Sequence, residues 1–369
     1  MHDTDPTLSP APALDLGSWL RLAAAPGVGR ITAAHLLRQF GSPAAIFGAG
    51  IDQLLTFVTP AQAASLRAPV SSQTARLLDT TLAWLDRPGN HILSLLDPAY
   101  PPLLADIADP PLLLYIRGQH ALLHGAALAI VGSRNASVQG QANARAFAEA
   151  LSCAGLTIVS GLALGIDTAA HEGALRGCGG TAAIIGTGAD RIYPARNGPL
   201  ARRIAEQGCM VSEYPLGTPP RPEHFPQRNR IISGLAAGVL VIEAAAGSGS
   251  LITARLASEQ GRDVFALPGS IHATLSKGCH QLIREGAQLV ESSDDVLLAL
   301  SMAPLVRACA APAPASPLLT ILGHDAMHID TILAQGTLSA SALSAELLAL
   351  EMAGIVARLP GGMLQRIHR

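Results

Sequence analysis

Short apolar runs alternate with amphipathic segments through the middle of the chain. The runs have the length of buried strands, and the segments between them repeat apolar residues at helical spacing. Six runs predict β-strands: AALAIVGSR (126–134), LTIVSGLA (156–163), TAAIIGTG (181–188), CMVSEYP (209–215), VLVIEA (239–244) and DVFALPG (263–269). The helical patterns are QGQANARAFAEALSCAG, DTAAHEGALRG, PLARRIAEQG, RNRIISGLAAG and SLITARLASEQG. Such alternation is typical of βαβ units and predicts an α/β domain built on a parallel sheet.

The flanks of this region have other patterns and predict further domains. Residues 16–85 carry helical apolar spacing with glycine breaks, and a proline-rich stretch, 87–118, leads into the α/β region. The Pro/Ala stretch ACAAPAPASP (308–317) has no periodicity and is typical of a linker. We therefore expect a helical domain over 14–86, the α/β domain over 87–301, a linker over 302–317 and a small domain over 318–369.

Composition narrows the class of protein. Hydrophobic residues make up 49% of the 369 residues, but the apolar runs are much shorter than the roughly 20 residues of a membrane-spanning helix. The first residues, MHDTDPTLSP, carry no basic-then-apolar export signal, so we expect a cytoplasmic protein with no membrane partner. The five cysteines have no CxxC or other metal-like spacing, and we expect neither a metal nor a cofactor.

Charge is informative only locally. The net charge of −2 does not favour a nucleic-acid partner, which would need a basic patch. The stretch from Arg191 to Arg230 provides one, because it contains seven arginines and three acidic residues.

The predicted strands run into glycine- and serine-rich turns: VGSR (131–134), SGLALG (160–165), GTG (186–188) and AGSGS (246–250). Right-handed crossovers place the carboxyl ends of such strands along one rim, where open α/β sheets bind ligands. A helix starting near Ser250 presents free N–H groups there, and the hydroxyls of Ser133, Ser160, Ser248 and Ser250 add donors. These donors favour a phosphate-bearing ligand, although each turn taken alone is also explained by ordinary turn chemistry. Neither G-x-G-x-x-G nor G-x-x-x-x-G-K-[ST] is matched, which disfavours a dinucleotide or ATP.

Cationic side chains accompany this predicted rim. In FPQRNRIISG (225–234), Arg228 and Arg230 are candidate phosphate clamps, Asn229 a candidate partner for a base or sugar, and Phe225 a stacking ring. The alternative is a solvated helix start with an asparagine cap. Two more cations, Arg134 and Lys277, follow other predicted strands.

The same segments resemble a known family. VGSR, SGLALGIDTAAHEGAL, DRIYPARN, SEYPLGTPPRPEHFPQRNRIISGL, VIEAAAGSGSLITARLASEQGRDVFALPG and LSKGCHQLIREGAQLV are similar to the DNA processing protein A (DprA, or Smf) family over roughly residues 90–300. The resemblance implies an extended Rossmann fold, with a parallel sheet and helices on both faces. It also implies a homodimer that binds single-stranded DNA and helps to load RecA onto incoming DNA during natural transformation.

Carried over by position, the resemblance implies thirteen DNA-binding residues: Gly132, Ser133, Arg134, Ser160, Gly161, Phe225, Arg228, Asn229, Arg230, Ser248, Gly249, Ser250 and Lys277. One departure is IHATLSKG (271–278), where family members often have asparagine before the Leu-Ser pair.

The flanking domains fit the same family. LRLAAAPGVGRITAAHLLRQFGS (20–42) resembles a sterile-alpha-motif or helix-hairpin-helix unit, which either contacts DNA phosphates or serves as an interaction module. The tail resembles a winged helix whose wing is IVARLPGGMLQRI. No lysine or arginine lies between Asp330 and Ala357, so we expect the tail to contact protein rather than read bases.

Three other functions compete with DNA binding. A nucleotide N-glycosidase would need an acid soon after the glycine-rich turn, whereas GSGSLITA has Thr253 and Ala254 there and no acid before Glu259. Its remaining candidates for acid–base groups are Glu213, Glu243, Asp167, Glu172 and His171. The second alternative is a metal site at His272, Cys279 and His280, but their spacing matches no zinc pattern. The third is a structural adaptor, in which the end domains make all the interactions and the rim of the sheet binds no ligand.

Overall fold

The computed structural model describes residues 15–303, 316–322, 326–334 and 340–367. Residues 1–14, on which the expectation about an export signal rests, lie outside these ranges, and so does most of the expected linker over 302–317. No helix in the described ranges has both the length and the apolar composition needed to cross a bilayer.

Helices form in three groups along the chain. The N-terminal group is α1 (Leu16–Ala23), α2 (Arg30–Phe40), α3 (Pro43–Gly48), α4 (Ile51–Leu55), α5 (Pro60–Arg67) and α6 (Ser72–Leu85). The central group is α7 (Pro102–Ala105), α8 (Val138–Cys153), α9 (Ile166–Ala174), α10 (Gly198–Gln207), α11 (His224–Gly234), α12 (Gly249–Glu259), α13 (Lys277–Arg284) and α14 (Ser293–Ala299). The C-terminal group is α15 (Pro317–Leu322), α16 (Ile329–Ala334) and α17 (Ala340–Met352).

A nine-stranded sheet forms the centre of the molecule. Its strands are β1 (Asn90–Ser94), β2 (Leu113–Gly118), β3 (Ala127–Val131), β4 (Thr157–Ser160), β5 (Thr181–Ile184), β6 (Cys209–Ser212), β7 (Gly238–Val241), β8 (Asp263–Ala266) and β9 (Gln288–Leu289). They are ordered β1-β2-β6-β5-β4-β3-β7-β8-β9, and neighbours from β6 to β9 are parallel. The predicted α/β fold with a parallel sheet is therefore confirmed.

The antiparallel pair β1 and β2 extends this sheet beyond β6 and was not expected. Both strands lie within the proline-rich stretch 87–118, where proline obscures the period of the pattern. The six predicted strands are present, but each is shorter than its apolar run, because the run continues into the loop at the carboxyl end of the strand.

Strand β3 shows how the sequence pattern buries both faces of the sheet. Ala127, Ala129 and Val131 belong to one core cluster, which also contains side chains from α11, α12 and α13. The alternate residues Leu128 and Ile130 belong to a second cluster, with side chains from α8, α9 and α14. Because side chains alternate across a strand, helices cover both faces, as the Rossmann resemblance implied.

The order of connections reverses between β3 and β7. The chain proceeds from β3 through β4 and β5 to β6 on one side, then returns to β7 and proceeds through β8 to β9 on the other. Loops that leave two such neighbouring strands separate and open a crevice at the carboxyl edge of the sheet. The fold therefore places a ligand-sized opening between the loops that follow β3 and β7.

The C-terminal group of elements has a sheet of its own. Strands β10 (Met327–His328), β11 (Val356–Leu359) and β12 (Met363–Arg366) are ordered β10-β12-β11. The turn between β11 and β12 contains Gly361 and Gly362, both at positive φ (77° and 74°). Three helices with this sheet have the order of a winged helix, and the glycine turn forms the wing.

Candidate nucleic-acid interface

A cavity of about 470 Å³ opens at the expected crevice. Four segments line it: the turn after β3, the turn from β4 into α9, the α11 helix, and the loop that leads from β7 into α12. Nine of the thirteen expected DNA-binding residues are among its lining residues: Gly132, Ser133, Arg134, Phe225, Arg228, Asn229, Ser248, Gly249 and Ser250. Ser160, Gly161, Arg230 and Lys277 are not.

The loop before α12 contributes backbone donors. Ser248 caps the helix, since its hydroxyl oxygen accepts from Ser250 N and lies 2.8 Å from Ser250 Oγ. The N–H groups of Gly247 and Gly249 have no acceptor within the described ranges. These free donors lie at the positive end of an eleven-residue helix, where an anion is stabilised.

Arg228 forms part of the cavity wall although it is only 4% exposed. Its Nη1 donates to the carbonyl of Gly161 at 2.7 Å and to that of Ile184. Its Nε is buried with no hydrogen-bond partner in the described part of the chain. Burial lowers the pKa of the guanidinium to about 10, so Arg228 stays charged at neutral pH. A buried cation with a free donor favours an anionic ligand.

Gly161 supports Arg228 instead of contacting a ligand. A Cβ at this position would lie 2.5 Å from Arg228 Nη1, so only glycine leaves room for the guanidinium. The amides of Gly161 and Ala163 both donate to the carboxylate of Asp167, at 3.1 and 3.3 Å. Burial raises the pKa of the Asp167 carboxyl, against the opposing effect of Arg228. Asp167 also lines the cavity and is the one acidic residue among its lining residues.

Arg134 is the exposed cation of the cavity. It lies three residues beyond the end of β3 and has no ion pair among the residues that the structure describes. Its guanidinium carbon lies 6.0 Å from the centre of the Phe225 ring. Asn229 lies across the cavity, with Nδ2 3.5 Å from the carbonyl oxygen of Gly249. A cation, an amide and an aromatic ring therefore share one opening.

Arg230 requires a correction, because its side chain points away from this cavity. Its guanidinium contacts two carboxylates: Glu213 at 2.6 Å and Asp109 at 2.7 Å. Arg30, the first residue of α2, contacts the same two acids at 3.3 and 3.7 Å. Although burial opposes them, Glu213 and Asp109 raise the pKa of Arg230. Arg230 therefore joins the N-terminal helices to the sheet domain and is not placed to clamp phosphate.

The structure places two more expected residues outside the cavity. Ser160 is fully buried, and its hydroxyl donates to the carbonyl of Ile130 at 2.6 Å, so it cannot reach a ligand. Lys277 is exposed at the start of α13, where its amine donates to the carbonyl of Ile271. Ser133 remains in the lining, and its hydroxyl oxygen accepts from Asn135 N at 3.2 Å.

The five candidates for acid–base groups all have structural partners. Glu213 pairs with arginines and Asp167 with backbone amides, as described above. Glu243 accepts from the amide and the hydroxyl of Ser137, at 2.9 and 2.5 Å, at the start of α8. Glu172 pairs with Arg145 at 2.8 Å. His171 is fully buried, with Nδ1 2.7 Å from Thr181 Oγ1, and burial lowers its pKa to about 3.

The alternative metal site at His272, Cys279 and His280, which the sequence disfavoured, is not assembled within the described ranges. No group of three or more His, Cys, Asp or Glu residues in those ranges is arranged to hold a metal ion. Cys279 is buried, with its thiol 3.6 Å from the carbonyl of Val241, and His280 Nε2 lies 3.0 Å from the carbonyl of Gly269.

Fold and cavity together define a Rossmann-type protein with an arginine-lined cavity at the sheet edge and a winged-helix domain. The family of DNA recombination-mediator protein A matches residues 91–301, and the DprA winged helix domain matches residues 295–362. The chain belongs to the DNA recombination-mediator protein A (DprA/Smf) family, which confirms the resemblance found in its sequence motifs.

Relatives of known name or structure agree with this assignment. The chain is 41% identical over 303 residues to Protein Smf of Escherichia coli, covering 78% of this chain and 80% of that one. The X-ray structure of DNA processing protein A from Streptococcus pneumoniae matches with a TM-score of 0.67 and 40% identity, covering 76% and 97% of the two chains. A Helicobacter pylori homologue, described for its single-stranded DNA binding mode, matches with a TM-score of 0.53 and 31% identity over 57% and 95%.

Proposed function

We propose that this protein binds single-stranded DNA in the cavity between β3 and β7. The observation that carries the proposal is the combination of free backbone donors at Gly247 and Gly249 with the unpaired cation of Arg134 and the buried cation of Arg228. The volume of the cavity lies within the roughly 300–1,000 Å³ of small-ligand sites. Such a cavity accepts a phosphate and an adjoining unpaired nucleotide, but not an intact duplex.

By analogy with its family, the protein acts as a recombination mediator without bond cleavage. We propose that it works in the cytoplasm as a homodimer, protects incoming strands during natural transformation and presents them to RecA. A second copy would add a second cavity and lengthen the track along which a strand is held. The expected binding residues are now Gly132, Ser133, Arg134, Phe225, Arg228, Asn229, Ser248, Gly249 and Ser250, with Gly161 as support for Arg228.

A fluorescence-anisotropy titration tests DNA binding directly. We expect a single-stranded oligonucleotide to bind more tightly than the duplex of the same sequence, and its affinity to fall as salt rises. Arg134→Ala should weaken binding about tenfold on every sequence, because a charge-assisted contact is lost. It should also reduce the salt slope by about 0.7, the value for one phosphate on a single strand.

Arg176→Ala is the matched control for this titration. Arg176 is an exposed arginine that pairs with Glu149 at 2.9 Å and does not line the cavity. Its loss should leave both affinity and salt slope unchanged. Equal losses in the two variants, or tighter binding of duplex DNA, would contradict the proposal.

A nucleotide hydrolase remains the second candidate, on the single observation that Asp167 lines the cavity with a raised pKa. Perturbed carboxyl groups in clefts are typical of acid–base catalysts. Two backbone amides already donate to this carboxylate, which favours a positioning role. Incubation with deoxynucleoside monophosphates decides between the two: release of free base that Asp167→Asn abolishes would establish the hydrolase.

A further inference from the structure

Tyr193 was not among the expected site residues, yet it lies beside the cavity. Its ring centre is 5.4 Å from that of Phe225, with an angle of 40° between the ring planes. The side chain is 47% exposed, and its hydroxyl has no hydrogen-bond partner within the described ranges. A single exposed aromatic residue is common on protein surfaces. What distinguishes Tyr193 is that it continues an aromatic surface that begins inside the cavity with Phe225.

The loop that carries Tyr193 is held at both ends. Before it, Arg191 N donates to the carbonyl of Gly188 at 2.9 Å, and Thr187 Oγ1 donates to the carbonyl of Arg191 at 3.0 Å. After it, the side-chain amide Nδ2 of Asn197 donates to the carbonyl of Leu162 at 2.9 Å. These contacts fix the backbone of the loop against the strand ends, so the position from which the ring projects is set before any ligand arrives.

The Phe225 ring also rests on a fixed support. A Cβ at Gly186 would lie 3.2 Å from Phe225 Cδ1, so the absence of a side chain there lets the ring rest on the backbone after β5. The Phe225 ring also neighbours the guanidinium of Arg134, as described above. Two aromatic rings on fixed supports are pre-organised for stacking, because little conformational freedom is lost on binding.

Charge around Tyr193 is also suited to a nucleic-acid strand. Arg191 and Arg196 lie two and three residues away on the same loop. Both are exposed, and neither has an ion pair in the part of the chain that the structure describes. Aromatic rings flanked by unpaired cations are the arrangement that binds single strands without sequence preference.

We propose that Tyr193 and Phe225 form a stacking platform for unpaired bases at the mouth of the cavity. Arg191 and Arg196 attract the phosphates of the strand as it leaves the cavity over this platform. The inference rests on the proposed function and extends it by adding Tyr193, outside the cavity lining, to the expected base contact at Phe225. It also accounts for a preference for single strands, since bases in a duplex are stacked on one another.

The experiment pairs protein variants with two oligomers of equal charge. One is an oligothymidylate, and the other is an abasic oligomer with the same number of phosphates. On oligothymidylate, Tyr193→Ala should weaken binding about 5- to 150-fold, the range for loss of one stacked base. On the abasic oligomer, Tyr193→Ala and the wild type should bind equally.

Three further variants control for structure. Tyr193→Phe keeps the ring and should bind like the wild type. Tyr193→Leu keeps an apolar contact with Phe225 but no ring face, and should bind like Tyr193→Ala. Leu82→Ala, at an apolar side chain on α6 that is 48% exposed, should change nothing.

The possible outcomes separate this inference from the proposed function. If Arg134→Ala weakens binding but Tyr193→Ala does not, or if Tyr193→Ala weakens both oligomers equally, the platform is overturned and the phosphate site stands. A wild-type protein that binds neither oligomer overturns the proposed function and the platform with it.

Discussion

At the scale of single residues, the cavity depends on a buried cation that is held by backbone carbonyls. Arg228 reaches Gly161 and Ile184, which follow β4 and end β5, and so ties α11 to the two strands. His171 fixes the same turn from the other side, since Leu162 N donates to its Nε2 at 3.3 Å. That bond leaves the proton on Nδ1, which donates to Thr181 Oγ1, and Thr181 in turn donates to the carbonyl of Ile158. The neutral histidine is therefore part of the support for Arg228.

Because His171 is buried in its neutral form, we expect the folded protein to lose stability in mild acid. Burial lowers its pKa to about 3 in the folded protein, whereas the unfolded value is about 6.5. Because the folded value is lower, the unfolded chain takes up a proton first as pH falls below 6.5, and stability is lost from there down to about pH 3. Between pH 7 and pH 5 the free energy of unfolding should fall by about 2 kcal/mol from this group.

Urea unfolding of the wild type and of His171→Gln across this pH range measures the effect. The variant should be less stable at pH 7, because Thr181 loses a donor, but its stability should depend less on pH. Parallel pH profiles for wild type and His171→Gln would show that His171 is not the titrating group.

At the scale of elements, the helix around the RNR motif explains what the sequence could and could not predict. The sequence predicted a helical segment, RNRIISGLAAG, that begins at Arg228, whereas α11 begins four residues earlier at His224. Residues two apart on a helix are about 200° apart around its axis, so Arg228 and Arg230 face opposite sides. The apolar periodicity was sufficient to find the parallel strands and the loops at their ends. Asp109, the partner that holds Arg230, comes from a proline-rich stretch 121 residues earlier and gave no local signal.

Because the buried Arg230 is paired with carboxylates, we expect its substitution to change the stability of the protein without changing its affinity for DNA. The side chains of Arg230 and Glu213 are 6% and 5% exposed, so removing one leaves a buried charge. Arg230→Met should lower the free energy of unfolding by about 3 kcal/mol, the lower end for a broken buried pair, because Arg30 still contacts Glu213. Affinity for single-stranded DNA should stay within about twofold, in contrast to Arg134→Ala.

The double variant Arg230→Met/Glu213→Met is the control for this pair. It removes both charges, so part of the lost stability should return. Urea-unfolding midpoints and anisotropy titrations on the same samples provide the comparison. A large loss of affinity in Arg230→Met at an unchanged midpoint would restore Arg230 as a phosphate contact.

At the scale of the whole molecule, cationic groups are distributed unevenly among the three domains. The sheet domain carries Arg134, Arg191 and Arg196 without ion pairs in the described ranges. The one arginine of α2 that faces the sheet domain, Arg30, is already paired with acids. In the winged helix, α17 has no basic residue and leaves Leu348 and Met352 exposed, at 61% and 82%. Within the described ranges, the winged helix therefore offers fewer unpaired cations than the sheet domain.

This distribution predicts that the winged helix does not hold DNA. Its basic residues in the described ranges that follow α17 are Arg358, which pairs with Glu351 at 3.0 Å, and Arg366. Arg358→Ala/Arg366→Ala should leave affinity for both single-stranded and duplex DNA within about twofold, because α17 supplies no cation for phosphate contacts and Arg358 is already paired with Glu351. Arg134→Ala, measured beside it, should lose about tenfold on single strands. A drop in duplex affinity confined to the double variant would instead make the wing a DNA contact and reverse the expectation that this domain binds protein.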